Sequence, residues 1–471
     1  MCRSWFIISL LLIASCGKVT APADECTTAA QCTDSAAPYC IDRHCEAACQ
    51  AATDCTDATH AVCASDGACV GCQAAADCSA QAPVCDTTER ACRGCTSDAE
   101  CPGGVCIEAD GTCTADAGVA FVTMMGSDAG ACTRAAPCAT VLFALKQRAD
   151  RSVVHVLGGA LSITSFALTG TTITLDGEDT AISTGTATAI TVMGSADITI
   201  EGFRITAPPF PPTGGAPAPG LVVKDLAKLR LHGVALSGEG STLVEASGGA
   251  QLTIRASHLG SLSQNSANTI NCIGATLLAD RNALEMTIVG NYMPCEMTVT
   301  RNRFESSRDG SVHITGGRLV MENNLVIHRD GFNDSISVGS LSSGSTIRFN
   351  TLVNTTAVGS DGAAMFCDNT VAITSNIFAY NSQHPINGTG CETRYSVFDD
   401  RSLTSAGTGN QLTGIDAIFV NRGAGDYHLA PASVARGGAE PGQIMVMVDY
   451  DGHPRPDPSG SPADSGAFEA K

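Results

Sequence analysis

Two tripeptides, Arg308-Asp309-Gly310 and Arg329-Asp330-Gly331, stand one repeat apart, and Asp361-Gly362 follows a repeat later. If successive repeats stack, two or three carboxylates and two guanidiniums share one column. Stacked like charges raise one carboxyl pKa or recruit a cation, as acid–base and calcium sites do. Asp309, Asp330, Arg308 and Arg329 are therefore the candidate catalytic residues, and Asp309, Asp330 and Asp361 form an alternative calcium set. His313, His328 and Asp334 lie nearby in sequence. A plainer reading is also open, because Asp-Gly is ordinary turn chemistry and an Arg–Asp ladder neutralises a surface column. Paired carboxyls that cleave glycosides sit about 5–5.5 Å or 6.5–9.5 Å apart. A single rung of ~4.8 Å falls just short of the first range.

The elements that would position these groups come from a phrase returning every 20 to 31 residues between Ile198 and Phe398. It reads Ile200-Glu-Gly-Phe203-Arg-Ile205, Leu231-His-Gly-Val234-Ala-Leu236 and Ile254-Arg-Ala-Ser257-His-Leu259. It goes on through Asp280-Arg-Asn282-Ala-Leu284, Val299-Thr-Arg-Asn302-Arg-Phe304 and Val320-Met-Glu-Asn323-Asn-Leu325. The last copies are Ile347-Arg-Phe-Asn350-Thr-Leu352, Ile373-Thr-Ser-Asn376-Ile-Phe378 and Thr393-Arg-Tyr-Ser396-Val-Phe398. A repeat of this length with strand chemistry is one coil of a solenoid. Asn282, Asn302, Asn323, Asn350 and Asn376 are expected to stack as a hydrogen-bonded ladder at a tight bend. Leu236, Leu259, Leu284, Phe304, Leu325, Leu352 and Phe378 are expected to fill the interior. Upstream, Pro137-Cys-Ala-Thr140 opens a helix with an apolar face of Val141, Leu142 and Leu145, suited to capping the first coil. The Pro/Gly stretch from Ala207 to Gly220 must project as a loop.

This pattern resembles the pectate-lyase-like superfamily over roughly residues 118–471, and the resemblance implies a mainly β fold, a right-handed parallel β-helix with an N-terminal capping helix. Asp449-Tyr-Asp451-Gly-His-Pro-Arg455-Pro and Asp464-Ser-Gly-Ala-Phe468-Glu469 are similar to the closing motif of one exported β-helix family, which makes 410–471 the closing region. Arg455 is placed to pair with Asp464 or Glu469.

Sixteen cysteines fall in four groups between Cys26 and Cys113. They are Cys26, Cys32, Cys40, Cys45; Cys49, Cys55, Cys63, Cys69; Cys72, Cys78, Cys85, Cys92; and Cys95, Cys101, Cys106, Cys113. With too few apolar residues for a core, residues 26–116 read as small disulfide repeats, each with three pairings open. Cys69-x-x-Cys72 and Cys92-x-x-Cys95 also match a four-thiolate zinc spacing. Asp54, Asp77 and Glu100 precede the second cysteine of three groups, as a solvated acidic face or a calcium feature. Cys132 with Cys138, Cys272 with Cys295 and Cys367 with Cys391 complete the disulfide expectation. The stretch resembles cysteine-rich repeats of bacterial surface lipoproteins and, distantly, dickkopf-type repeats.

The first residues read as an export signal, with Arg3 ahead of an apolar run from Trp5 to Ile13 too short to span a bilayer. Leu12-Ile-Ala-Ser-Cys16 resembles a bacterial lipobox, which implies a signal region 1–16 ending at Cys16, a lipidated Cys16 as the mature N-terminus, a short linker at 17–25 and an outer-membrane lipoprotein at the cell surface. Cys2 falls in the discarded signal.

A net charge of −20 argues against nucleic acid as a partner. The Asn-Thr-Asp, Gly-His-Gly and Arg-Ile-Lys set of polygalacturonases has no counterpart. The single tryptophan, Trp5, lies in the signal, which leaves Tyr292, Tyr380 and Tyr395 as weak platforms for sugars. The expected function is a non-catalytic binding, adhesion or structural module without cofactor, contacting a polysaccharide or a surface protein. The alternative is a polysaccharide lyase or glycosidase acting from Asp309 and Asp330, with or without calcium.

Overall fold

The computed structural model describes residues 39–470 except 42–43, 47, 56, 163–164, 184, 186, 210–216, 240–241, 262–268, 291–292, 307–309, 329–333, 356–362, 381–383, 401–406 and 443–445. The chain divides into two compact units, Met1–Thr96 with Asp110–Cys113, and Ser97–Ala109 with Thr114–Lys471.

In the first unit, short antiparallel hairpins are stapled by disulfides. Cys49 joins Cys63, Cys55 joins Cys69, Cys72 joins Cys85 and Cys78 joins Cys92. Each of these two groups therefore links its first cysteine to its third and its second to its fourth. That pattern sets aside the zinc spacing, because Cys69, Cys72 and Cys92 each belong to a different disulfide. Cys95, Cys101, Cys106 and Cys113 are disulfide-bonded as well. Cys26 and Cys32 lie outside the described residues, as does Cys16, while Cys40 and Cys45 face each other across the hairpin of Tyr39–Ile41 and His44–Glu46. Asp54 and Asp77 turn out to be turn caps. The carboxylate of Asp54 accepts from the N–H groups of Gln50 and Ala51, both at 2.8 Å. Asp77 accepts from those of Gln73 and Ala74 at 2.8 and 2.9 Å, so each carboxylate closes a one-turn 3-10 helix.

The second unit is a parallel β-helix of three ladders. The first runs from Val119–Val122 and Val153–Val156 through Asp197–Thr206, Lys228–His232 and Gln251–Arg255 to Cys391–Arg394, each strand parallel to the next. The second includes Ala235–Gly238, Arg303–Ser306, Leu325–His328, Thr351–Asn354 and Val397–Asp399; the third includes Ile190–Met193, Thr269–Ile273 and Ile336–Leu341. Alternation fixes the inward face. Leu229 and Leu231, Leu252 and Ile254, Met297 and Val299, and Leu319 and Met321 are all buried in one continuous core. Disulfides Cys272–Cys295 and Cys367–Cys391 span about one coil each, and Cys132–Cys138 closes the loop before the helix. That helix, Val141–Gln147, is capped by the Thr140 hydroxyl and buries Val141 and Ala144. Leu142 and Leu145, expected on its core face, are only partly covered.

Between first and second ladders, each coil from Asp197–Thr206 onward turns through one left-handed residue. These are Gly202, Gly233, Ala256, Arg281, Arg301, Asn323, Phe349, Ser375 and Tyr395. The next residue carries the ladder: Ser257, Asn282, Asn302, Asn324, Asn350, Asn376 and Ser396. Each asparagine Oδ1 accepts the backbone N–H one coil earlier, as Asn350 does from Asn324 at 2.9 Å. Its Nδ2 donates to two strand carbonyls, which for Asn350 are Met321 at 2.9 Å and Arg348 at 3.0 Å. The ladder member is Asn324, not the expected Asn323. Asn323 is the left-handed residue and donates to the Val448 carbonyl. The same slip displaces Leu325 from the inward stack, where Val326 stands opposite Phe304 and Leu352. Two adjacent asparagines followed by two apolar residues fit the repeat in either register, and a one-residue shift exchanges the faces.

Leu325 faces outward with Ile327, Val353, Ile377 and Val397, and the closing region covers all five with Phe419, Tyr427, Leu429 and Phe468. Its backbone docks through Gly466 N–H on the Ser375 carbonyl at 2.8 Å. Gly466 has φ +92 and no room for a Cβ, which would stand 2.4 Å from Ile377 Cδ1. Arg455 is fully buried there, pairing with Glu469 at 3.1 Å and donating to the carbonyls of Asp464 and Gly466 at 2.6 and 3.0 Å. Its guanidinium lies over the Phe349 ring at 4.5 Å. Burial pushes the Glu469 carboxyl up to about 7 although Arg455 pulls it down.

Two predictions follow from this packing. Asn350→Ala strands buried amides and carbonyls and should destabilise the protein by about 3 kcal/mol in chemical denaturation. Ala256→Gly, at the bend where earlier coils carry Gly202 and Gly233, should instead be neutral or stabilising by up to about 1 kcal/mol. Equal losses in both variants would contradict the ladder's role. The second concerns pH. Because the folded-state pKa of Glu469 is raised, its protonated form is favoured by folding. Stability present below the ordinary carboxyl range should fall as pH rises through about 7, by about 2–3 kcal/mol, and Glu469→Gln should flatten that slope.

Candidate functional site

Arg308, Asp309, Arg329, Asp330 and Asp361 lie outside the described residues. The strands leading into their turns are described, and Ser306, His328 and Asn354 occupy successive rungs of the second ladder. Phe304 stands opposite Val326, twenty-two residues on. Beyond the turn, the Asp334 carboxylate accepts from the Ala363 N–H at 2.9 Å. His328 is buried with its ring 6.0 Å from that of Tyr380. The Tyr380 hydroxyl is hydrogen-bonded to Ser335, and burial raises its pKa further above the ordinary phenol value. His313 belongs to the third ladder, exposed, so the structure separates it from His328. Tyr380 is 1% exposed and offers no platform to a sugar; Tyr395 is half-buried and Tyr292 lies outside the described residues.

A second constellation lies at the opposite end of the β-helix, and sequence reading passed over it. In Val153–Val156, Val154 and Val156 point into the core and Val153 and His155 point out. The outward face is covered by residues 97–109, whose Val105 and Ile107 pack with Val119, Phe121 and Val153. His155 is consequently completely buried, with the Phe121 ring edge-on at 5.6 Å. The covering segment is itself pinned. Asp98 accepts from the Cys106 N–H at 2.7 Å, and Glu201 accepts from the Ala109 N–H at 2.8 Å.

Register supplies the neighbours. His155 stands opposite Asp176 and Asp176 opposite Glu201, three coils in one outward column. His155 Nδ1 lies 2.5 Å from Asp176 Oδ2. Immediately after Asp176 the pairing breaks in a bulge before Thr180, where Glu178 and Asp179 take φ values of +37° and +61°. Bulges re-aim side chains, and non-glycine residues with positive φ mark places where the surrounding fold dictates geometry. The bulge turns Glu178 back toward His155, so that Nε2 stands 3.4 Å from Glu178 Oε1 and 3.5 Å from Asp98 Oδ2. That nitrogen makes no hydrogen bond.

A cleft of about 320 Å³ shares Asp98, Asp176 and Glu178 with this cluster and is lined further by Glu108, Asp179 and Glu201. Burial and then the charges of Asp176 and Asp98 hold the Glu108 carboxyl above its ordinary range. Glu178 is raised chiefly by burial, with His155 pulling it down and Asp98 and Asp176 adding to the rise. For His155 burial works downward, but the hydrogen bond to Asp176 and the surrounding carboxylates prevail and the pKa is raised. Such a site favours a cation. The sequence held one signal for it, a histidine in an alternating strand with Asp176-Gly-Glu178-Asp179 one coil later.

No family model matches the chain, and no curated protein matches it. Among solved structures it is similar to the crystal structure of pectate lyase Pel9A, at 11% identity and a TM-score of 0.45, over 75% of this chain and 96% of that one.

Proposed function

We propose that this chain is a lipid-anchored surface protein whose β-helix serves as a non-catalytic binding or structural module. The observation that carries this reading is how the outward charges are used. Asp280 pairs with Arg301 at 2.7 Å, Glu322 with Arg348 at 2.7 Å and Asp197 with Arg230 at 2.6 Å. Catalysis by general acid and base needs groups poised near the working pH and in reach of substrate. Charges spent on neighbouring coils stiffen a wall instead. A rigid lateral face of stacked strands suits recognition of an extended partner, either a polysaccharide or a surface protein. The strongly acidic chain disfavours nucleic acid in that role.

In this reading Cys16 carries the lipid, and the disulfide repeats that follow it hold their own structure without needing a hydrophobic core. The rival reading is a polysaccharide lyase or glycosidase working from Arg308, Asp309, Arg329 and Asp330, with calcium as its possible cofactor.

Incubated with acidic and neutral polysaccharides, with and without calcium, the protein should yield no new reducing ends and no unsaturated products. Products that disappear in Asp309→Asn/Asp330→Asn would establish the rival. For the anchor, Cys16→Ser should move the protein from the detergent phase to the aqueous phase on phase separation; retention in detergent would exclude lipidation at that cysteine.

A further inference from the structure

Among the described residues, the buried His155 is the one histidine whose ring is held by a carboxylate on one nitrogen and aimed at two more with the other. Asp176 fixes Nδ1 at 2.5 Å. Nε2 faces Asp98 and Glu178, makes no hydrogen bond and has no exposure to solvent. A proton on Nε2 would draw one carboxylate to about 2.8 Å. Instead the two oxygens stand almost equally far away, at 3.4 and 3.5 Å.

Those separations are long for a hydrogen bond and right for atoms sharing a metal. Bonds of about 2.1 Å to nitrogen and oxygen place tetrahedral ligands about 3.4 Å from one another. The three donor atoms lie within 4.8 Å of one another. The contact between Asp176 and Nδ1 has the form of the carboxylate–histidine–metal arrangement, in which an outer carboxylate fixes the ring and raises the basicity of the ligating nitrogen. The excess of carboxylates in the cleft favours a divalent charge.

We propose that Asp98, His155 and Glu178 form a zinc-class metal site, with His155 Nε2, Asp98 Oδ2 and Glu178 Oε1 as ligands and Asp176 as the orienting carboxylate. Zinc fits better than calcium because one ligand is imidazole and the set is small, whereas calcium takes six to eight oxygens. Three protein ligands leave a fourth position facing the acidic cleft, to be filled by water or an incoming group. Asp98 comes from the covering segment, His155 from the first coils and Glu178 from the bulge after the next strand. The metal therefore clamps residues 97–109 onto the outer face of the β-helix at its N-terminal end. Asp98 and Glu178 retain 28% and 43% exposure, which gives an ion a route in.

The test uses the full chain with its disulfides intact, stripped of metal by dialysis against a chelator and titrated with Zn2+ alone. One ion should bind per chain with micromolar or tighter affinity and raise the melting temperature, and Co2+ should give the intense visible bands of a tetrahedral site. Glu178→Gln, at a partly exposed position that folding tolerates, should weaken Zn2+ binding at least 30-fold and abolish the melting shift. Asp176→Asn should weaken it about 10–100-fold. His428→Gln, in the exposed cluster with Asp426 and Asp451, should leave affinity unchanged. Absence of stoichiometric binding, an unaltered affinity in Glu178→Gln, loss of binding in His428→Gln, or Ca2+ bound as tightly as Zn2+ would each overturn the assignment.

Discussion

The structure depends on how each coil turns its first corner. From Asp197–Thr206 onward each coil passes one residue through the left-handed region at this corner, and in most coils that residue is not glycine: Ala256, Arg281, Arg301, Asn323, Phe349, Ser375 and Tyr395 all do so. Such a residue costs roughly 1–2 kcal/mol. The compensation lies one residue later, where a buried asparagine binds the backbone of its own coil and of the coil before it. Because each side chain reaches the next, the ladder from Ser257 to Asn376 is continued by Ser396, whose hydroxyl accepts from Asn376 N–H at 3.2 Å. Ser396 N–H in turn donates to Asn410 Oδ1 at 3.0 Å. Each coil from Ser257 onward thus takes its bend from its neighbours, and register is imposed along that part of the stack.

A ladder of this kind fixes the interior and leaves the ends and outer faces to other means. Strand edges and outward apolar residues are liabilities unless covered. Two segments cover them, by similar devices at opposite ends. At the start, Val105 and Ile107 lie over Val119, Phe121 and Val153. Toward the finish, Phe419, Tyr427, Leu429 and Phe468 lie over Leu325, Val353 and Ile377. Each cover also brings charge beneath it. The C-terminal cover buries Arg455 with Glu469, with Asp449 and Asp464 close by and carbonyls to complete the guanidinium. The N-terminal cover buries His155 among several carboxylates.

Much of this was legible in the sequence, and the exceptions have physical causes. The coil length, the asparagine recurrence and the cysteine pairs one coil apart follow from one-dimensional spacing, since a solenoid maps sequence period directly onto stacking. The slip at Asn323 and Asn324 arose where that mapping is degenerate. Leu325 and Ile327 are apolar because the closing region covers them, so alternation no longer separates the inner face from the outer. Pairing within the cysteine groups depends on hairpin geometry that spacing does not encode. Asp98 and His155 meet because a segment folds back over a strand more than fifty residues away.

The bulge at Gly177-Glu178-Asp179 joins these threads. Everywhere downstream, one left-handed residue suffices for the corner. Here two successive non-glycine residues adopt positive φ, and the strand pairing breaks at the same point. Gly177 is enclosed by the Phe203 ring, which a Cβ would meet at 2.6 Å, so the two extra residues cannot be absorbed inward. They are displaced outward, and Glu178 is carried with them. Had the coil turned as its successors do, His155 would face only Asp176 in its column and Asp98 of the covering segment. The departure from the repeat is what brings a third carboxylate to the imidazole, which is where a repeat protein has room for chemistry of its own.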